Sequence, residues 1–217
     1  MAGGSRAAQV AATREAILGA AERLFAEHGV AAVSNRQISE AAGQGNNTAV
    51  GYHFGSKTDL VAAIMRRHMG HIERLRVERL DALGPDPDLR DWVECTILPT
   101  TDYLATFGGT TWFARFAAQV LTDPTLRDVV EAEVLRAPSL RRVTKGLHRH
   151  LDLPPTVRDE RDDLARQLMI ITPALRESAL ANHTPTPRPT WPEAGQGLVD
   201  AIVGLYQAKI TTNHHPN

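Results

Sequence analysis

With 217 residues, 42% of them hydrophobic and 23% charged, the chain can bury a core, which excludes disorder throughout. The sequence contains neither an apolar run of roughly 20 residues, as a membrane span requires, nor an apolar signal stretch, so we expect a cytoplasmic protein without a membrane partner. Its single cysteine excludes an internal disulfide and a CxxC metal site. The net charge of −1 argues against a protein that binds nucleic acid through a generally basic surface. Residues 1–80 nevertheless carry +3 (ten basic, seven acidic) and residues 81–217 carry −4 (fourteen basic, eighteen acidic), which is a weak indication of nucleic-acid contact at the N-terminal end.

Helical periodicity dominates the sequence, and strand patterns are scarce. The first helix is predicted to begin near Thr13, a candidate N-cap, and to end at Gly29. Its apolar face follows helical spacing through Ile17, Ala20, Ala21, Leu24, Phe25 and His28. Ser34 and Gln37 form a capping-box pattern, which predicts a second, short helix that ends at Gly43.

An uncharged turn over residues 44–48 leads into a third short helix, predicted at about 47–53. A second capping-box pattern, at Ser56 and Asp59, opens a long helix that is predicted to reach about residue 80. The segment 84–88, which contains two prolines, is the clearest break and the predicted domain boundary. Three helices with a glycine-containing turn between the second and third are typical of a helix-turn-helix.

The turn before the third helix has the chemistry that base recognition requires. Asn46 and Asn47 can each form two hydrogen bonds with adenine, and Thr48 offers a hydroxyl and a methyl group. Residues 41–58 hold one basic and no acidic side chain, so no carboxylate repels phosphate there. Lys57, at a helix N-terminus, is a candidate phosphate contact. The alternative is that the segment is only a polar turn.

Four motifs in this region resemble the N-terminal domain of TetR-type transcriptional regulators. Together they span about residues 10–65: Thr13-Arg-Glu-Ala-Ile-Leu, Leu24-Phe-Ala-Glu-His-Gly29, Gln37-Ile-Ser-Glu-Ala-Ala-Gly43 and Tyr52-His-Phe-Gly-Ser-Lys57. The chain departs from the family pattern at Gly51, which takes the first place of the usual Tyr-x-x-Phe, and its turn resembles a subgroup variant with Asn-Asn. The resemblance implies an all-α homodimer with an N-terminal helix-turn-helix and a larger C-terminal domain for ligand binding and dimerisation.

This resemblance also implies site residues and domain bounds. The implied contacts with double-stranded operator DNA are Arg36, Gln37, Gln44, Asn46, Asn47, Thr48, Tyr52, His53 and Lys57. The DNA-binding domain would occupy residues 10–56, with residues 56–80 as a connecting helix, and the ligand-binding and dimerisation domain residues 81–210. Residues 1–9 and 211–217 are expected to be flexible tails.

Six further helices are predicted in the C-terminal body, at about 88–106, 110–121, 124–135, 139–150, 157–181 and 193–209, with a proline-rich loop over residues 183–195. Aromatic residues concentrate between positions 92 and 116, which favours an apolar or aromatic effector. The candidate pocket lining is Trp92, Tyr103, Phe107, Trp112, Phe113, Phe116 and Met169. The last two helices resemble the family's dimer seam in placement, and the candidate interface is Leu164, Leu168, Ile171, Leu175, Leu198, Ile202 and Leu205.

The sequence carries no enzyme, cofactor or metal motif, such as a nucleophile elbow, a P-loop or H-E-x-x-H. We interpret His68, on the apolar stripe of the fourth helix, as a core or inter-domain histidine, and Cys95 as a small buried hydrophobe. The predicted function is a repressor that an unidentified small-molecule effector releases from a palindromic operator. The alternatives are a dimeric small-molecule-binding protein with a vestigial DNA-binding head and a helical enzyme.

Overall fold

A computed structural model describes residues 2–46 and 48–211, and all regular structure in that part of the chain is helical. Its helices are α1 Ala2–His28, α2 Asn35–Ala41, α3 Ala49–Phe54, α4 Lys57–Asp81, α5 Leu89–Ala105, α6 Phe113–Thr122, α7 Arg127–Leu135, α8 Pro138–Arg149, α9 Pro155–Ala181 and α10 Trp191–Gln207. None of these helices combines the length and apolar character that crossing a membrane requires.

Local capping decides where several of these helices begin and end. Four N-caps form capping boxes with the residue three positions later: Ser34 with Gln37, Ser56 with Asp59, Asp88 with Asp91, and Thr190 with Glu193. The first two boxes confirm the predicted starts of α2 and α4. Gly29 and Gly43, with φ of 83° and 67°, confirm the predicted stops, because positive φ is readily adopted only by glycine.

The structure corrects the predicted bounds at two helix starts. α1 begins at Ala2, so Thr13 lies inside it, and residues 2–9 are helical where a flexible tail was expected. Four alanines among residues 7–12 favour this extension. α10 begins at Trp191, within the predicted loop, because Pro192 lies in the first turn, where its missing N–H costs nothing. Thr211 has no regular structure, and the rest of the predicted C-terminal tail lies outside the described residues.

One apolar cluster continues from the three N-terminal helices into the body. It contains Ile17, Phe25, Ile38, Val50 and Leu60 together with Leu104, Phe113, Phe116 and Val120. The rings of Phe25 and Phe116 stack with their centroids 6.1 Å apart. The predicted boundary at residues 84–88 therefore separates the helices α4 and α5. It does not separate two hydrophobic cores, because the cluster contains residues from both sides of it. A second cluster joins α5, α9 and α10 through Val93, Ile97, Ala165, Val199 and Ile202.

Candidate nucleic-acid interface and ligand cavity

The N-terminal part of α2 presents polar side chains to solvent. Arg36 is exposed, and its Nε donates a hydrogen bond to Glu40 Oε1 at 2.7 Å, which raises the pKa of the guanidinium. Gln37 Oε1 accepts from the backbone N–H of Ser34 at 2.8 Å. The cap therefore uses the oxygen of Gln37 and not its amide nitrogen, which can still donate to a partner outside the chain.

The turn between α2 and α3 is organised by Asn46. Its Oδ1 accepts hydrogen bonds from Thr48 N at 2.9 Å and from Thr48 Oγ1 at 2.7 Å, and both side chains are exposed. Gln44 is half-buried and donates from Nε2 to the Ala42 carbonyl at 3.1 Å. Asn47, a predicted base-reading residue, lies outside the described residues.

The exposed end of α3 carries Tyr52 beside His53. Tyr52 is 83% exposed, and its ring meets that of the half-buried His53 edge-on at 5.0 Å. Arg14 of α1 donates to the His53 carbonyl, and its guanidinium lies 4.3 Å from the centre of the Phe54 ring. Arg14 thus holds the end of α3 against α1. Sequence reasoning missed it because the contact joins residues about 40 positions apart, and no local pattern shows such a pairing.

Lys57 has a structural role that the sequence did not predict. Its Nζ donates to the backbone carbonyls of Val30 at 3.1 Å and Val33 at 2.7 Å. Both carbonyls belong to the loop between α1 and α2, so the ammonium ties this loop to the start of α4. An ammonium has three N–H donors, and one therefore remains for a phosphate.

A cavity of about 430 Å³ lies in the body, within the range of pockets for small molecules. Its wall draws on α4, α5, α6, α7, α8 and α9. Phe113 and Met169, two of the seven predicted lining residues, belong to it. Most of the remaining wall consists of aliphatic and thioether side chains, including Met65, Met69 and Ile72 from α4.

The other five predicted lining residues lie elsewhere. Trp92 packs on Gly146 of α8, Tyr103 lies within hydrogen-bonding distance of His68 on α4, and Phe116 stacks on α1. Phe107 is 47% exposed, and Trp112 is the N-cap of α6. The aromatic concentration does not coincide with the wall of this cavity, because core packing and cavity lining produce the same apolar pattern in a sequence. Only the positions of the helices distinguish the two.

The helix α6 stands between the cavity and α1. Its Phe113 and Ala114 line the cavity, whereas Phe116 stacks on Phe25 and Gln119 Nε2 donates to the Ala26 carbonyl at 3.2 Å. The start of α6 is held from α9 by the carboxylate of Glu177. This group accepts from the backbone N–H groups of Ala114 at 3.3 Å and Arg115 at 2.8 Å and from the hydroxyl of Thr111.

A buried polar cluster adds a second connection between the cavity wall and α1. His68 is 2% exposed, and its ring stacks on Phe113 with centroids 4.0 Å apart. Its Nε2 lies 2.8 Å from Glu22 Oε2 on α1, and its Nδ1 lies 2.8 Å from the hydroxyl of Tyr103, whose pKa burial raises. The interpretation of His68 as a core histidine between domains is confirmed. Cys95 is buried as predicted, and burial raises its thiol pKa.

Comparison with known proteins assigns the N-terminal region to a family of DNA-binding domains. Residues 17–64 match the model for bacterial regulatory proteins of the tetR family. The HTH-type transcriptional repressor AcnR of Corynebacterium glutamicum is 29% identical over 153 residues, an alignment covering 65% of this chain and 71% of that protein. AcnR of Corynebacterium efficiens is 34% identical over 86 residues, covering 37% of this chain and 45% of that protein. The N-terminal head of this chain is therefore a DNA-binding domain of the TetR type.

Solved structures of TetR-family proteins share its fold. A putative tetR family transcription regulator from Shewanella sp. PV-4 has a TM-score of 0.58 at 18% identity, covering 89% of this chain and 95% of its own. AmtR of Mycobacterium smegmatis has a TM-score of 0.54 at 22% identity, covering 87% and 85%. The predicted all-α class is confirmed. The TetR-type head and the similarity to the AcnR repressors identify the chain as a DNA-binding transcriptional regulator.

The residues predicted to form the dimer interface divide into two groups. On α9, Leu164, Leu168, Ile171 and Leu175 are exposed, the last by 67%. On α10, Leu198 and Ile202 are buried within the protomer and Leu205 is half-buried in the same cluster, so these three do not form an outward stripe. The helix α5 covers the most apolar face of α10, and the face left exposed carries Ala201 and Gly204.

Proposed function

We propose that this TetR-family chain is a repressor that binds a palindromic operator as a homodimer and is released by a small molecule in the cavity. The observation that carries this proposal is the position of α6. Its Phe113 and Ala114 line the cavity, and its Phe116 and Gln119 contact α1. A ligand that moves α6 would thereby change the contacts that hold the DNA-binding head.

The proposed DNA-binding domain covers residues 10–56, with α4 as the connecting helix. Arg36, Gln37, Gln44, Asn46, Asn47, Thr48, Tyr52, His53 and Lys57 are its proposed contacts. The exposure of Arg36 and Tyr52 and the positive charge of residues 1–80 support this assignment. In the dimer, two α3 helices would enter successive major grooves about 34–36 Å apart.

The proposed dimer interface is built from α9 and α10. Leu164, Leu168, Ile171 and Leu175 would supply its apolar part, and the small side chains at Ala201 and Gly204 would let α10 approach the partner closely. An interface of this kind is isologous, with the same surface on both protomers. The proposed ligand-binding and dimerisation domain covers residues 81–210.

The test of the whole proposal is operator binding by the full-length protein. DNA flanking its own gene should give a gel shift, with a palindrome protected in footprinting. An effector should weaken this complex, typically by about 5–150-fold, and the operator should weaken effector binding by the same factor. Ligand binding without any operator complex would instead favour a small-molecule-binding protein with a vestigial head.

Tyr52→Ala is expected to weaken operator binding by about tenfold or more, because it removes the exposed side chain of α3. The free energy of unfolding should change by less than about 0.5 kcal/mol, since most of the ring is exposed to solvent. Phe107→Ala is the matched control, an exposed aromatic residue in the body. Equal affinity of wild type and Tyr52→Ala in a gel shift would contradict the placement of α3 at the DNA.

Lys57→Met is expected to weaken binding to all DNA sequences alike and to reduce the slope of log affinity against log salt by about 1. The melting temperature should fall as well, because the α1–α2 loop loses the hydrogen bonds to Val30 and Val33. Lys145→Met, in an exposed part of α8, should change neither quantity. A lower melting temperature with an unchanged salt slope would assign Lys57 to the loop alone.

A further inference from the structure

We infer that the effector is an amphipathic anion, with a carboxylate received by Arg76 and an apolar body held against α4 and α6. The inference rests on the proposed function, in which the cavity is the effector site. It refines the sequence-based expectation of an apolar or aromatic effector, because the cavity wall includes a buried cation.

The apolar part of the assignment comes from the composition of the wall. Twelve of the lining positions carry aliphatic, thioether or proline side chains, and Phe113 adds an aromatic ring. The twelve are Met65, Met69, Ile72, Ala114, Ala117, Leu121, Val134, Leu135, Leu140, Met169, Ile170 and Pro173. Such a surface favours a hydrocarbon or aryl body and does not hydrogen-bond a polar one.

The anionic part comes from Arg76 on α4, which lines the cavity and is 3% exposed. Its Nη1 donates to Glu73 Oε2 at 3.2 Å and to Ser139 Oγ at 3.4 Å. Its Nε is buried and has no acceptor among the described residues. A guanidinium has five N–H donors in a planar fork that matches a carboxylate, so an acceptor from a ligand would satisfy donors that the protein leaves over.

The carboxylate of Glu73 does not serve Arg76 exclusively, because it also accepts hydrogen bonds from Ser139. Its Oε1 accepts from the backbone N–H of Ser139 at 3.1 Å, and its Oε2 also accepts from the hydroxyl of Ser139. The carboxylate is therefore shared with the first turn of α8, whose N-terminus also favours negative charge. Burial lowers the pKa of Arg76, and the nearby Glu73 opposes that effect, as expected for a desolvated cation with incomplete compensation.

The other charged lining residues lie at the rim. Glu131 and Arg166 are exposed, and Arg166 Nη1 already donates to Asp163 Oδ1 at 2.7 Å. A charge in contact with water binds an anion weakly, because both groups keep their hydration. Arg166 therefore serves as the matched control for Arg76, at the same cavity but in solvent.

The test compares three probes with one body and different heads: octanoate, 1-octanol and octylamine, titrated calorimetrically into the full-length protein. Wild type should bind octanoate about tenfold or more tightly than 1-octanol, and octylamine most weakly. Arg76→Met should bring octanoate and 1-octanol within about twofold without changing 1-octanol affinity. Arg166→Met should retain the wild-type preference.

Equal affinity of wild type for octanoate and 1-octanol, an unchanged preference in Arg76→Met, or no binding of any probe would overturn the inference. If Arg76→Met does not fold by circular dichroism, Arg76→Lys replaces it, and its octanoate preference should fall between wild type and none. Operator binding without ligand is measured separately. Octanoate preference without release from DNA would retain the anion site and refute the release mechanism. Operator binding with no octanoate preference would refute the anion site and leave the DNA-binding function in place.

Discussion

Glu177→Ala is expected to lower the free energy of unfolding by about 3–5 kcal/mol. Glu177 is 1% exposed on α9, and its carboxylate accepts from Ala114 N, Arg115 N and Arg115 Nε. Its removal leaves the first N–H groups of α6 and the half-buried Arg115 guanidinium without that acceptor, in a site that admits little water. Urea unfolding followed by circular dichroism at one protomer concentration measures the loss.

Asp81→Ala is the control for Glu177→Ala. Asp81 forms an ion pair with Arg142 at 3.1 Å, but its side chain is 65% exposed, so the loss should stay within about 1 kcal/mol. Glu177→Gln should lie between the two, since an amide can accept some of the same hydrogen bonds without the charge. A loss in Glu177→Ala no larger than that in Asp81→Ala would contradict the role given to this carboxylate.

Ile171→Glu is expected to convert the dimer to a monomer at micromolar concentration and to weaken operator binding by about 100-fold or more. A carboxylate in the middle of the α9 stripe would have to be buried between the protomers without a partner. A monomer would engage one half-site and lose the gain from binding two together. Light scattering after size-exclusion chromatography and a gel shift with the palindrome measure the two effects.

Val77→Glu is the matched control for Ile171→Glu. Val77 on α4 is 40% exposed, compared with 39% for Ile171. The two substitutions should therefore change the folding stability of the protomer by similar amounts. Val77→Glu should leave both dimerisation and operator affinity unchanged. An intact dimer in Ile171→Glu would contradict the α9 interface, and loss of the dimer in both variants would mean that the effect comes from misfolding.

Several features of the head were predictable because their causes are local. Ser34 with Gln37 and Ser56 with Asp59 satisfy backbone N–H groups within a single turn. Gly29 and Gly43 end their helices by adopting positive φ. Each of these signals needs only residues a few positions apart, so it can be found in the sequence without knowledge of the fold.

The predicted site residues that the structure places elsewhere differ from the prediction in which partner covers their apolar face. Leu198 and Ile202 follow helical periodicity as well as Leu168 and Ile171 do, yet α5 covers the first pair and leaves the second exposed. Trp92 and Phe116 are apolar like the lining of the cavity, but Phe116 is buried in the core and Trp92 packs against it. Periodicity reports that a face avoids water, and it carries no information on whether a neighbouring helix, a ligand or a second protomer covers that face.

By itself, the sequence determined the helix-turn-helix layout, the TetR-type motifs of the head and the basic head on an acidic body, because caps, glycine stops and motif spacing act over short distances. Only the tertiary structure decided that Lys57 holds the α1–α2 loop, that Glu177 holds the start of α6, and that Arg76 lies in the cavity wall. These roles join residues between 24 and 66 positions apart or depend on the meeting of several helices, and only tertiary packing sets such contacts.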